Sequence, residues 1–210
     1  MSYAFADFGT LVTTVDVDDA VVATLKTWLG TYLGRVEQER GLDPGFLSRP
    51  NDSAYANTLE SDEFLDHTLP AVIVTTASTE GPPVITNDWS YVANWRLTVS
   101  CVLRGRRPPE TRRSASLFEG SVRRLLVQKG DLGGLAKRCR WISSTVAPLP
   151  DRTGKGRYLA AGITQMVVFG DVAVEFGVGP DVPDANPYDP LATVQNVTTD
   201  VEGTTITTED

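Results

Sequence analysis

Trp89-Ser90-Tyr91-Val92-Ala93-Asn94-Trp95-Arg96-Leu97-Thr98-Val99-Ser100-Cys101-Val102-Leu103-Arg104 is the stretch that decides the fold. One parity reads Trp89, Tyr91, Ala93, Trp95, Leu97, Val99, Cys101 and Leu103, while the other carries Ser90, Asn94, Arg96, Thr98, Ser100 and Arg104. Successive side chains of a strand point to opposite faces, so this alternation predicts one long strand with a single buried face. A separate strand starts near Val84 if Asn87-Asp88 turns the chain. Upstream, 71–77 is a short strand rich in Val, Ile and Thr, followed by the turn Gly81-Pro82-Pro83.

Helices flank this strand region on both sides. After Asp18 and Asp19 come Val21, Val22, Leu25, Trp28, Leu29, Tyr32, Leu33 and Val36, spaced as one face of an amphipathic helix. An acidic start suits the positive end of the helix dipole and Gly41 stops the pattern, which predicts a helix over 18–40. On the other side, Pro108 and Pro109 are tolerated at a helix start, and Ala115, Phe118, Val122, Leu125 and Leu126 give a second apolar stripe that ends at Gly130. Arg112, Arg113, Arg123 and Arg124 fall on its remaining positions and predict a basic face turned away from the core. Residues 139–147 and 157–176 read as further strands around a loop over 148–156, and 42–69 reads as a long excursion with a helical turn near 60–65. The order helix, strand, strand, helix, strand, strand predicts an α+β fold: a mixed or antiparallel β-sheet packed on one face by two α-helices.

Residues 177–190 are rich in Pro, Gly and Asp and read as a linker. Beyond them, 191–208 carries Val194, Val197, Val201 and Ile206, which can add to a sheet edge but cannot build a core alone. The expected division is therefore an α+β domain over 1–177 and an acidic extended arm over 178–210.

Charge is divided along the chain. From Arg104 to Arg140 eleven basic residues face three acidic ones, and after Arg157 nine acidic residues follow with no Lys or Arg. The net charge of -8 is thus a basic middle between acidic ends, which favours head-to-tail contact between copies or contact with charged neighbours. No apolar run approaches the ~20 residues that span a bilayer, and Met1-Ser2-Tyr3-Ala4-Phe5 lacks the basic start of a signal peptide. The expectation is a soluble intracellular protein without a membrane partner. Cys101 and Cys139 lie far apart in strand-like segments and are expected as buried reduced thiols.

Gly154-Lys155-Gly156 is not a phosphate loop, because Gly follows the Lys and Leu149 stands where the first Gly belongs. Glu60, Asp62, Glu63, Asp66 and the single histidine, His67, could hold a metal or a base, yet a solvated loop explains them more simply. No glycine-flanked nucleophile surrounds any serine, and two cysteines with one histidine are too few for a zinc site. No catalytic residue, metal or cofactor is expected. The serious candidates are Arg104, Arg106, Arg107, Arg112, Arg113, Arg123 and Arg124, with Lys137, Arg138 and Arg140 beyond them. They form either a phosphate-binding surface, making the 104–140 region a nucleic-acid module, or a subunit interface. The acidic total and the lack of aromatics among the arginines favour the interface.

The run Trp95 to Gly105, the helix over 111–129 and the strand over 139–147 resemble the tail terminator proteins of long-tailed phages, small subunits whose hexameric ring closes the head-proximal end of the tail tube. Arg112-Arg113-Ser114-Ala115 matches the family habit of a charged residue beside small ones at the helix start, and the helix from Asp18 is similar to the family's first helix. The similarity covers about 15–176, and the arm beyond Gly177 departs from it. The resemblance implies a non-enzymatic virion subunit of the tail or neck, assembled in the host cytoplasm as a homo-oligomeric ring. Its partners would be the tail tube protein and a head-tail connector or stopper, with genomic DNA passing through the ring without sequence-specific binding. Arg104, Arg106, Arg107, Arg112, Arg113, Arg123 and Arg124, with Asp181, Asp184 and Asp189, are expected at a subunit or partner interface, and the acidic arm is expected to dock on a neighbouring subunit or partner ring at a basic surface such as the Arg112, Arg113, Arg123 and Arg124 face.

Overall fold

Thr13 and Asp16 start the first helix by capping each other. In the computed structural model Asp16 N donates to Thr13 Oγ1 while Thr13 N donates to Asp16 Oδ2 at 2.7 Å. A side-chain pair of this kind supplies the hydrogen bonds that the first turn lacks. Helix α1 accordingly runs Thr14–Glu39, beginning before the Asp18-Asp19 pair that the sequence pattern marked as its start. Asp18 is instead buried inside the helix, where its Oδ1 accepts a hydrogen bond from Thr76 Oγ1 at 2.6 Å. Val21, Leu25, Leu29, Tyr32, Leu33 and Val36 are buried as their spacing predicts, and Gly41 follows at φ +59°, in the left-handed region that suits glycine. Trp28 is the exception in the stripe, with 40% of its surface exposed, because Lys129 packs over its ring at 4.6 Å in place of the core.

The structure describes residues 11–56, 69–86, 91–149 and 158–170, all within one compact unit. After α1 come a 3-10 turn (Asp52–Ala54), β1 (Tyr55–Ala56), β2 (Ala71–Thr79), β3 (Val84–Ile85), β4 (Tyr91–Val92) and β5 (Asn94–Gly105). Helix α2 (Pro108–Gln128), a second 3-10 turn (Leu132–Gly134), β6 (Ala136–Leu149) and β7 (Tyr158–Gly170) complete the unit. Five strands form one mixed sheet in the order β1-β2-β5-β7-β6, with β1 parallel to β2 and the other pairs antiparallel. Both helices pack on one face of it, so the fold is α+β as the element order implied.

The long strand foreseen over 89–103 is divided. Tyr91–Val92 pairs with Val84–Ile85 as a separate two-stranded ribbon, and the main strand starts only at Asn94. Ala93 is the joint: its carbonyl accepts a hydrogen bond from Gly170 N at 3.1 Å, and a Cβ on Gly170 would sit 2.5 Å from that oxygen. From Trp95 the alternation then holds, with Trp95, Leu97, Val99, Cys101 and Leu103 buried under the helices. The strand is central because its polar parity faces no helix and both of its edges are paired. Strand β6 is longer than the sequence suggested, since Pro148 and Leu149, read as loop, pair with Ala160 and Leu159. The turn at 87–88, the helical turn near 60–65, the loop over 150–157 and residues 171–176 lie outside the described residues.

Helix α2 begins at Pro108 and Pro109, where the missing amide of proline costs nothing, and Thr111 N and Oγ1 both donate to Arg107 O at 3.0 and 2.7 Å. Its seat on the sheet is Gly162 of β7. A Cβ there would lie 2.7 Å from Ala115 O and 2.7 Å from Glu119 Cβ, so glycine permits a helix-to-strand approach that any side chain would block.

Gly162→Ala should therefore destabilise the fold by about 1–3 kcal/mol, since the overlap falls partly on backbone that cannot rotate away. Denaturant unfolding should show a lower midpoint with unchanged slope, and an unaltered midpoint would contradict the close seat. At the other helix, burial raises the pKa of Asp18 most, against hydrogen bonds from Thr76 that lower it. A raised folded-state value means that this contribution to stability is complete below the ordinary 3.8 and is lost as pH rises through the folded value. Asp18→Asn should match the native chain at low pH and gain on it as pH rises; a stability difference that does not change with pH would count against this.

Candidate interaction surface

The arginines singled out from the sequence meet three fates. Arg104 is half-buried near the end of β5, and Arg106 and Arg107 are exposed in the connection to α2, where Arg107 lies 3.7 Å from Glu110. Such an exposed pair is worth little. Arg112 and Arg113, in the first turns of α2, are exposed and make no ion pair with the described residues. Arg123 and Arg124 stand eleven residues further on, three turns or about 16 Å along the same side of the helix, but the chain uses both itself. Arg124 Nη1 donates to both carboxylate oxygens of Glu39 at 2.7 and 2.9 Å, tying α2 to the end of α1. The foreseen basic face is therefore bare only at its N-terminal end. Asp181, Asp184 and Asp189, the acidic cluster around His67 and the 154–156 loop lie outside the described residues.

Arg123 belongs to a partly buried polar cluster that composition did not reveal. Its guanidinium stacks 4.5 Å over the Trp141 ring, sits 3.4 Å from Ser144 Oγ and approaches Glu119 at 3.9 Å. Trp141 Nε1 donates to Ser144 Oγ at 2.9 Å, Ser144 donates to Glu119, and Thr164 Oγ1 donates to the same Glu119 oxygen at 2.7 Å. Glu119 is only 4% exposed, so these hydroxyls satisfy a carboxylate that water cannot reach. The cluster fastens α2 to β6 and β7 and leaves Glu119 no room to meet a substrate. Glu at position 119 among arginines signals only a helix ion pair; Gly162, Ser144 and Thr164 become its neighbours through strand register.

The thiols are equally withdrawn. Burial pushes Cys139 up to about 12 and Cys101 upward as well, with the negative charge of Glu119 adding to the effect on Cys101. Both are free and buried, and at neutral pH both stay protonated. Among the described residues no group of three or more His, Cys, Asp and Glu side chains comes together to hold a metal ion.

The helix-free face of the sheet carries a second basic area. Phe169 on β7 lies under two guanidinium groups, Arg138 at 4.8 Å and Arg140 at 5.3 Å from its ring centre. Register sets Arg96, Val167 and Arg140 in one row across β5, β7 and β6, and Val167 is fully buried there, next to the arginine stems. Arg96 is held by Glu80, whose Oε2 accepts from Nε at 2.7 Å. At the opposite end of this face Ile73, Val102 and Ala161 form a small apolar cluster. Strand β6 pairs only with β7 among the described residues, and its middle exposes Trp141 and Ile142, each 46% open to solvent. The register shifts between Trp141 and Ser143, and the adjacent apolar pair Trp141-Ile142, which breaks the strand alternation, is the signal in the sequence that points here.

No protein-family model matches this chain, and no curated protein matches it. Among solved structures, a chain of the "Virion of native gene transfer agent (GTA) particle" is similar over 80% of this chain and 100% of its own length, at 12% identity and a TM-score of 0.39. No helix among the described residues is long and apolar enough to cross a membrane.

The Glu119 cluster makes a direct test of what fastens α2. Glu119→Ala should cost about 1–3 kcal/mol by leaving the Thr164 and Ser144 hydroxyls without their acceptor, and Glu119→Gln, which keeps one acceptor oxygen, should cost less. Equal unfolding midpoints for the two variants would contradict this, since Gln keeps both an acceptor oxygen and the side-chain volume that Ala removes.

Proposed function

We propose that this chain is a non-enzymatic structural subunit of a phage-like virion, forming a sixfold ring that ends the tail tube and meets the head-tail connector. The observation that carries the reading is the exposed basic group at the start of α2, Arg106, Arg107, Arg112 and Arg113, on a chain that has nine acidic residues and no Lys or Arg after Arg157. Two complementary surfaces at different places on one subunit need not pair reciprocally about a twofold axis. They match head to tail, and such contacts close into rings when the rotation allows. The resemblance in element order to tail terminators supplies the sixfold count and the position at the tail end. The arm over 178–210 is on this reading the acidic partner of the basic group. The other use of these arginines is phosphate binding, which the net charge of -8 opposes over most of the surface.

Native mass spectrometry of the full chain should give a species of about six times the 22.7 kDa subunit mass, and class averages of particles should show it as a ring. Monomers alone, both at high concentration and within particles, would remove the reading. Arg112→Glu with Arg113→Glu should weaken the assembly while leaving the unfolding free energy within about 0.5 kcal/mol of the native value. Tight DNA binding that falls steeply with salt and is lost in this variant would favour the nucleic-acid alternative instead.

A further inference from the structure

The helix-free face of the sheet carries a basic group that the proposed ring contact does not use. Arg138 and Arg140 are exposed and stand two residues apart on one face of β6, about 7 Å from each other. Both guanidiniums lie over the Phe169 ring, so a half-buried aromatic fixes where their charge sits. Arg96 is in the same row as Arg140, two strands or about 10 Å away, and Glu80 holds its guanidinium, which leaves Arg138 and Arg140 as the principal charges. The next row on this face runs Thr75, Thr98, Gln165 and Ser143 across β2, β5, β7 and β6, with Thr75 and Gln165 exposed. Arginines beside hydroxyl and amide side chains are the groups that contact phosphate oxygens of nucleic acid. The start of α2 is a different place, since Arg106 follows Gly105, nine residues or about 30 Å along β5 from Arg96.

We infer that this face binds the phosphate backbone of duplex DNA without reading its sequence. An acidic protein would find little to anchor on, because protein interfaces depend on an apolar centre, and here Val167 is fully buried while the arginines cover Phe169. A single strand would need an open aromatic face for its bases, and the Phe169 ring is already occupied by the two guanidiniums. Duplex DNA needs neither, since its phosphates are met by fixed cations and hydroxyls. The total charge of -8 opposes phosphate binding over most of the surface, but at physiological salt charges beyond about 8 Å are largely screened, so the local group decides here. A contact through about two phosphates in each subunit is weak, and it suits a surface along which DNA slides better than one that holds it. The inference goes beyond the proposed ring and stands whether or not the ring forms.

The test titrates the full-length protein into a labelled DNA duplex of about 30 base pairs and reads fluorescence anisotropy at several salt concentrations. The native chain should bind two unrelated sequences with affinities within about twofold of each other. Arg138→Gln with Arg140→Gln should weaken binding at least about tenfold at low salt, and should lower the slope of log affinity against log salt by about 2 for each subunit engaged. Arg138→Lys with Arg140→Lys keeps the charge and should keep most of the affinity, which separates loss of charge from loss of fold. Gln165→Glu retains the oxygen that accepts from Ser143 and leaves both arginines in place, and it should weaken binding several-fold. No binding at low salt, native affinity after Arg138→Gln with Arg140→Gln, binding lost only when Arg112 and Arg113 are replaced, or tighter binding of polyglutamate than of DNA would each overturn the inference. The ring and this contact fail separately: a six-subunit species that ignores DNA overturns the contact alone, and salt-dependent binding by a smaller assembly, lost with Arg138 and Arg140, overturns the ring alone.

Discussion

The close seat of α2 on β7 at Gly162 governs the rest of the molecule. Without a Cβ at that position the helix backbone at Ala115 and the side chain of Glu119 come down onto the strand. Glu119 is then too deep for water, and Thr164 and Ser144 must donate to it. Those two hydroxyls lie on neighbouring strands, so one carboxylate locks the helix to β6 and β7 together. A buried carboxylate without such partners would be costly, which is why the seat and the cluster stand or fall together.

That seat also decides which charges remain for other molecules. With α2 held at its middle and its end, Arg123 is drawn over Trp141 and Arg124 onto Glu39, while Arg112 and Arg113 remain exposed. A helix basic over its whole length in sequence is thus basic toward solvent only at one end in space. On the far side of the sheet, Arg138 and Arg140 gather around Phe169, and their stems lie beside Val167. The aliphatic part of an arginine can cover an apolar residue while its head stays in water, so this face needs no third helix where the arginines lie.

The two edges of the sheet differ in kind. Among the described residues β1 lines one edge with two residues and β6 lines the other with fourteen, with an apolar centre and a basic beginning.

Much of the fold was legible in the sequence because local periodicity carries it. The stripe from Val21 to Val36, the stripe from Ala115 to Leu126 and the alternation from Trp95 to Leu103 each report a buried face through neighbours within a few residues. The break at Ala93 was not legible, since its cause is Gly170, a residue far along the chain whose missing side chain lets two backbones meet. Helix α1 starts earlier than its charge pattern implies: Asp18 has the chemistry of a cap but is buried against Thr76, 58 residues along the chain, and the cap is made by Thr13 with Asp16. Composition and charge distribution determined by themselves that the chain is basic in its middle and acidic toward its end. Tertiary structure alone decided which of those charges are spent, because ion pairs such as Arg124 with Glu39, and the burial of Glu119 under Ser144 and Thr164, form between residues that only packing brings within reach.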